Sequence, residues 1–102
     1  MSRYKVRVGP RAQAQLDEVA AWWKINRQAA PMLVVDEFEA AAERLTIAPL
    51  SGAIYRQTTF RSVRRLLLPR IRYHIYYEVY EASGLVRIVA FWHAARRRGP
   101  RI

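Results

Sequence analysis

The chain has 102 residues, of which 52% are hydrophobic, and a formal net charge of +10 at pH 7. This length suits one domain, 1–102, with a single core, and the hydrophobic fraction excludes general disorder. Because the sequence has no cysteine, a disulfide framework and a thiolate metal site are excluded. No apolar run approaches the roughly 20 residues of a membrane span. We therefore predict a cytoplasmic protein that binds no membrane, metal or cofactor.

The charge is unevenly distributed along the chain. Residues 1–54 carry seven basic and six acidic side chains, whereas residues 55–102 carry eleven arginines and two glutamates. Guanidinium groups suit planar, bidentate contacts with phosphate or carboxylate. The second half therefore predicts a surface for a polyanion or an acidic protein. A basic surface that only keeps the domain soluble is the simpler alternative.

The first half predicts one strand and two helices. Residues 4–8 alternate apolar and charged side chains as a half-buried strand does, and Gly9-Pro10 then suits the start of a helix. Apolar residues follow with helical spacing at Ala12, Leu16, Val19, Ala20 and Trp23. A second helix, opened by Pro31 and ended at 48–52, repeats that spacing at Val34, Phe38, Ala41, Ala42 and Leu45. Two such helices form a helical hairpin.

In the second half of the chain, the side-chain pattern changes to the two-residue period of β-strands. Three strands are predicted, over 62–68, 72–80 and 85–92, with a turn at 81–84. In the middle strand, one face carries Tyr73, Ile75, Tyr77 and Val79, and the other carries Arg72, His74, Tyr76, Glu78 and Tyr80. The element order is therefore β-α-α-β-β-β. It predicts an α+β fold, a small antiparallel sheet with the helical hairpin packed on one face.

Four segments in this order resemble the RelE/ParE superfamily of bacterial type II toxins. They are GPRAQAQLDEVAAW after the opening strand, LTIAPLSG at the end of the second helix, VRRLLLPRIRYHIYYEV, and VRIVAFWHAAR with its histidine and following arginine. The resemblance implies a small growth inhibitor whose partner is a cognate antitoxin. ParE-like members inhibit DNA gyrase, whereas RelE-like members cleave mRNA on the ribosome. We favour the ParE-like side because the last lysine is Lys24, and lysine belongs to the usual RelE-like site.

The nuclease alternative depends on a histidine and three arginines. RNA cleavage needs groups that transfer protons and cations that stabilise the developing phosphorane. His93 would be the acid or base, and Arg61, Arg65 and Arg87 would stabilise phosphate. His93 is also explained as a hydrogen-bonded imidazole at a strand end, and strand parity places it with Arg87, Val89 and Phe91. His74 is predicted to be a packed or partly exposed cross-strand residue. A non-toxic basic binding module is a further alternative.

Two sets of side chains are predicted to contact macromolecules. Contact with the target or with nucleic acid is assigned to Arg64, Arg72, Tyr76, Arg96, Arg97 and Arg98, because arginines beside aromatic rings suit both RNA and acidic peptides. Arg64 has opposite strand parity from Arg61 and Arg65. Antitoxin binding is assigned to Trp22, Leu33, Val35, Ile54 and Tyr55, as edges of a hydrophobic groove. The last residues, 94–102, are predicted to form a basic C-terminal extension, in which Arg97, Arg98 and Arg101 are mobile.

Overall fold

The computed structural model describes residues 3–102, so Met1 and Ser2 of the predicted single domain lie outside the described residues. The strands are β1 (Lys5–Val8), β2 (Ala53–Gln57), β3 (Ser62–Leu68), β4 (Tyr73–Tyr80) and β5 (Leu85–His93). The helices are α1 (Pro10–Asn26) and α2 (Leu33–Ile47). Within residues 3–102, no helix is long and apolar enough to cross a lipid bilayer.

Both helices form where the sequence predicts them. Pro10 is the first residue of α1, where its missing N–H has no helical partner to lose. The second helix begins at Leu33 instead of Pro31, because the intervening residues form a turn in which the Leu33 N–H donates to the Ala30 carbonyl at 3.2 Å. Its buried residues repeat at helical spacing: Val34, Phe38, Ala41 and Leu45.

The five strands form one sheet in the order β1-β5-β4-β3-β2. β1 pairs in parallel with β5, and all other neighbours are antiparallel. The predicted α+β class and helical hairpin are confirmed, with β2 as a strand that the sequence analysis missed. β2 is short, lies at the sheet edge and has a register shift between Ile54 and Arg56, so it shows no clean alternation.

The helices cover one face of the sheet, which we call the helix face. The main core lies between the helices and the sheet, and its largest fully buried side chains are Tyr77 and Phe91. Phe38 of α2 meets Phe91 edge to face, with ring centroids 5.5 Å apart. The opposite face, the open face, has a smaller cluster in which Val63, Tyr76 and Ala90 are buried.

A β-bulge in β5 changes which residues share a face. Tyr76 pairs with Ala90 and Tyr77 pairs with Ile88, so Val89 is the extra residue. An inserted residue reverses the alternation beyond it. His93 therefore lies on the face of Tyr73, whereas Arg87 pairs with Glu78 on the open face. The prediction that His93 and Arg87 share a face of the sheet is wrong because the bulge lies between them.

Candidate functional site

The residues after β5 cross the open face of the sheet. Pro100 is buried, and Ile102 packs against the cluster of Val63, Tyr76 and Ala90. We call residues 97–102 the C-terminal strap. Within the predicted basic extension 94–102, Pro100 and Ile102 are held against the protein, whereas the arginine side chains are exposed. The mobility of those arginines stays a prediction.

The strap is also held by hydrogen bonds to its main-chain oxygens. The Trp92 indole N–H donates to the Arg98 carbonyl at 2.7 Å, and Arg56 donates to the Ile102 oxygen at 2.8 Å. Arg11, at the start of α1, donates to the Arg101 carbonyl. These donors come from β5, β2 and α1, so the strap links elements that are distant in sequence.

Aromatic and basic side chains form the surface under the strap, which we call the aromatic floor: Tyr55, Tyr76 and Trp92. The rings of Tyr55 and Tyr76 meet edge to face at 4.8 Å. The Arg65 guanidinium lies 5.2 Å from the Tyr55 ring centroid, and the Arg96 guanidinium lies 4.5 Å from that of Trp92. Tyr76 is only 2% exposed, so its predicted contact with a target requires the strap to move.

The four residues of the nuclease alternative do not converge. Arg61 is hydrogen-bonded to Glu78, whose side chain is nearly buried, and Arg65 stacks on Tyr55. His93 follows Arg87 by six positions in β5, a distance of about 20 Å along a strand. His93 also lies on the opposite face of the sheet. The structure therefore brings the three arginines to the open face and leaves His93 apart from them.

His93 closes the turn that follows β5. Its Nδ1 accepts the Ala95 N–H at 3.0 Å, and its ring meets Tyr73 edge to face at 4.9 Å. With Nδ1 as the acceptor, the proton of the neutral ring is on Nε2. Burial raises the pKa of Tyr73, and the positive charge of Arg96 opposes that shift. This arrangement orders the start of the C-terminal segment.

Two arginines of the predicted target surface, Arg64 and Arg72, lie away from the C-terminal arginines in the sequence and have structural roles of their own. Arg64 lies on the helix face and donates to the Gly52 carbonyl at 2.8 Å, where it fixes the connection between α2 and β2. The predicted separation of Arg64 from Arg61 and Arg65 is therefore confirmed. Arg72 precedes β4 and has a positive φ of 58°, so its predicted position within that strand is wrong. The remaining members, Arg96, Arg97 and Arg98, are exposed.

The five residues assigned to antitoxin binding lie in two places. Trp22 is 49% exposed near the end of α1, and Leu33 and Val35 are half-buried in the first turn of α2. Ile54 is exposed at the sheet edge and pairs with Arg64, whereas Tyr55 lies under the strap. The first three adjoin the helical hairpin loop, and the last two belong to β2.

A cleft at the end of α1 is the feature that sequence reasoning missed. Its volume is about 340 Å³, and it is lined by Trp22, Trp23, Arg27, Arg70, Ile71, Arg72, Tyr73 and His93. We call it the tryptophan cleft. The Arg27 guanidinium lies 5.2 Å and 5.8 Å from the ring centroids of Trp22 and Trp23. Three arginines and two indoles thus line one cleft, although Arg27 and Arg70 are 43 positions apart in the sequence.

His74 gives the sheet a measurable dependence on pH. Burial lowers its pKa, and the nearby charge of Arg65 lowers it further. The unfolded chain therefore takes up this proton more readily, and stability is lost as the pH falls through the unfolded value of about 6.5. We expect His74→Phe to lose less stability than the parent between pH 7 and pH 5 in urea unfolding. Parallel losses in the two proteins would contradict the assignment.

Comparison with known proteins identifies the family. Residues 6–98 match the model of the ParE toxin of the type II toxin–antitoxin system parDE. No match was found among curated protein sequences. The fold is similar to that of a chromosomal ParDE system from P. aeruginosa, with a TM-score of 0.70 and 15% identity over 89% of this chain and 96% of that one.

Two RelE-type complexes share the same fold. For the archaeal RelE–RelB complex of Pyrococcus horikoshii, the TM-score is 0.68 at 16% identity, over 92% of this chain and 98% of that one. For the RelBE2 complex of Mycobacterium tuberculosis, it is 0.61 at 20% identity, over 89% and 98%. Such low identities establish the fold alone. Because the family model spans nearly the whole chain, this protein belongs to the ParE family of type II toxin–antitoxin toxins.

Proposed function

We propose that this toxin inhibits growth by binding DNA gyrase and that a cognate antitoxin neutralises it. The observation that carries the proposal is the match of residues 6–98 to the ParE family. It is supported by the separation of His93 from Arg61, Arg65 and Arg87, since phosphodiester cleavage needs proton-transfer groups and phosphate-binding cations around one bond. An inhibitor that only binds its target does not need His93 and these arginines to lie close together.

The exposed arginines supply the contact surface in this proposal. Arg96, Arg97, Arg98 and Arg101 are exposed along or next to the strap. Glu78 engages Arg61 and lies opposite Arg87 in the sheet, so the two arginines beside it carry less uncompensated charge than those of the strap. Charged side chains that stay in solvent speed the encounter with an acidic partner. Target binding is therefore assigned first to the arginines at 96–98.

The antitoxin is proposed to bind near the helical hairpin. Trp22, Ile25 and Met32 are exposed there by 49%, 73% and 43%. Large exposed apolar side chains that lie close together are typical of protein interfaces, and tryptophan is a frequent anchor. Three solved structures that are similar in fold are described as toxin–antitoxin systems or complexes. These two features support a polypeptide partner on this side of the molecule.

Expression in bacteria tests the proposal and separates it from the alternatives. We expect induction of the chain to stop growth and to induce the DNA-damage response, while primer extension on cellular mRNA finds no new cleavage sites. The triple variant of Arg96, Arg97 and Arg98 to Ala should reduce the inhibition at least tenfold in the inducer concentration required. New cleavage sites without a damage response would establish the mRNA nuclease instead. Unchanged growth would contradict both and support a non-toxic binding module.

A further inference from the structure

The tryptophan cleft concentrates positive charge beside apolar walls. Arg27, Arg70 and Arg72 all line it, together with the indoles of Trp22 and Trp23. Arg27 stacks on both indoles, so its guanidinium is already oriented and loses little freedom when a ligand binds. Arg70 has a carboxylate partner, Glu37, at the long distance of 3.8 Å. The cleft can therefore accept an anionic group.

The backbone at Arg72 adds an independent observation. Its φ of 58° lies in the left-handed region, which is unfavourable for a residue with a Cβ. The turn is held there because the Arg72 N–H donates to the Leu68 carbonyl at 2.8 Å and the Arg72 carbonyl accepts the Ala94 N–H at 2.9 Å. Glycine would adopt this conformation without strain. Strained residues concentrate at functional sites, so the strain at Arg72 supports a functional role for its side chain.

The charges around the cleft favour a single carboxylate over a polyanion. Glu37 lies beside Arg70, and the charge of Glu18 acts on Tyr73, whose ring lines the cleft. A phosphate backbone continuing over α1 and α2 would meet these carboxylates, since Glu18 is in α1 and Glu37 is in α2. Residues 1–54 together carry a net charge of only +1. A polypeptide can present one acidic side chain with apolar neighbours. Such a segment matches guanidinium groups and indole walls together.

We propose that the tryptophan cleft binds an acidic side chain, flanked by apolar residues, of a partner polypeptide. The identity of that partner as the antitoxin rests on the proposed function. The acidic side chain meets the guanidinium groups of Arg27 and Arg72, and its apolar neighbours lie against Trp22 and Trp23. The cleft thereby gives the hairpin side of the toxin a charge-specific contact in addition to its apolar ones.

The test is a titration of the full-length ¹⁵N-labelled chain with acetyl-Leu-Glu-Leu-amide. The protein has three tryptophans, Trp22, Trp23 and Trp92, and each contributes one indole N–H signal to the NMR spectrum. We expect saturable shifts of the Trp22 and Trp23 signals and none of the Trp92 signal, which reports on the strap. The matched peptide acetyl-Leu-Gln-Leu-amide should cause at most one tenth of the shift at equal concentration.

Two variants identify the contribution of the strained arginine. Arg72→Gly removes the guanidinium and relieves the backbone, so it should fold at least as stably as the parent in urea unfolding and bind the acidic peptide about tenfold more weakly, as loss of one charge-assisted hydrogen bond implies. Arg7→Ala removes the same charge from β1, which pairs with β5 at Arg87, far from His93. It should leave peptide binding unchanged.

Several outcomes would overturn the proposal. These are equal shifts with the glutamine peptide, a response of Trp92 alone, or equal losses in Arg72→Gly and Arg7→Ala. Inorganic phosphate or a ten-residue oligothymidylate that shifts the same two signals more strongly than the peptide would show a phosphate site instead. Because these titrations need no growth assay, an absence of toxicity would contradict the proposed function while the peptide binding still decides the inference.

Discussion

Gly52→Ala is expected to lower the free energy of unfolding by about 3 kcal/mol, the upper part of the usual range for overpacking. A Cβ at this position would lie 2.6 Å from the Tyr77 hydroxyl oxygen and 2.7 Å from the Arg65 carbonyl oxygen. The second contact is with the backbone of β3, which cannot move without disturbing the sheet. Displacing Gly52 would also break the 2.8 Å hydrogen bond from its N–H to the Tyr77 hydroxyl. Urea unfolding measures the change.

Two further variants separate the causes of that loss. Tyr77→Phe removes the hydroxyl and leaves the Gly52 N–H unpaired, which should cost about 1–2 kcal/mol. Gly84→Ala introduces a Cβ in open space at a φ of 62°, so it should cost about 1 kcal/mol for the backbone conformation alone. If Gly52→Ala proved no more costly than Gly84→Ala, the close approach of the α2–β2 connection to β3 would be contradicted.

Gly99→Ala is expected to release the C-terminal strap. A Cβ here would clash with the Tyr55 hydroxyl oxygen and lie 3.2 Å from the ring carbon that bears it. Gly99 has no positive φ, so the variant adds no backbone strain and acts through this contact. We expect trypsin to cleave after Arg98 and Arg101 at least tenfold faster than in the parent, because cleavage follows the population of the open strap.

Removal of the Tyr55 hydroxyl provides the control. Tyr55→Phe eliminates the closest contact, so Gly99→Ala in that background should increase cleavage much less than in the parent. Unfolding of the whole chain would give fast cleavage at arginines throughout the sequence, whereas strap release is limited to the last residues. Equal effects of Gly99→Ala in both backgrounds would contradict the packing of Gly99 against Tyr55.

Much of the fold follows from the sequence. The spacing of Ala12, Leu16, Val34 and Phe38 predicts both helices, and these residues are buried. The face assignment in β4 is also confirmed, because Tyr77 is in the main core and Tyr76 is in the cluster on the open face. Strong periodicity locates such elements because one face of each must be covered by the core.

The remaining features depend on contacts that no local pattern contains. The bulge at Val89 reverses the face of His93, and the sequence AFWH gives no sign of it. The strap looks like a basic tail, yet Pro100 is buried and Ile102 packs against the cluster on the open face. Arg56 and Arg11 also donate to main-chain oxygens of the strap. The tryptophan cleft joins the end of α1 to the turn before β4, so its charge density appears only when the two are packed together.

Supercoiling of relaxed plasmid DNA by purified DNA gyrase tests the central claim most directly. Titration with the full-length protein should inhibit the reaction, and the triple variant of Arg96, Arg97 and Arg98 to Ala should require at least tenfold more protein. Addition of the cognate antitoxin should restore supercoiling. Full gyrase activity at a large molar excess of a toxin preparation that stops bacterial growth would contradict the proposed target.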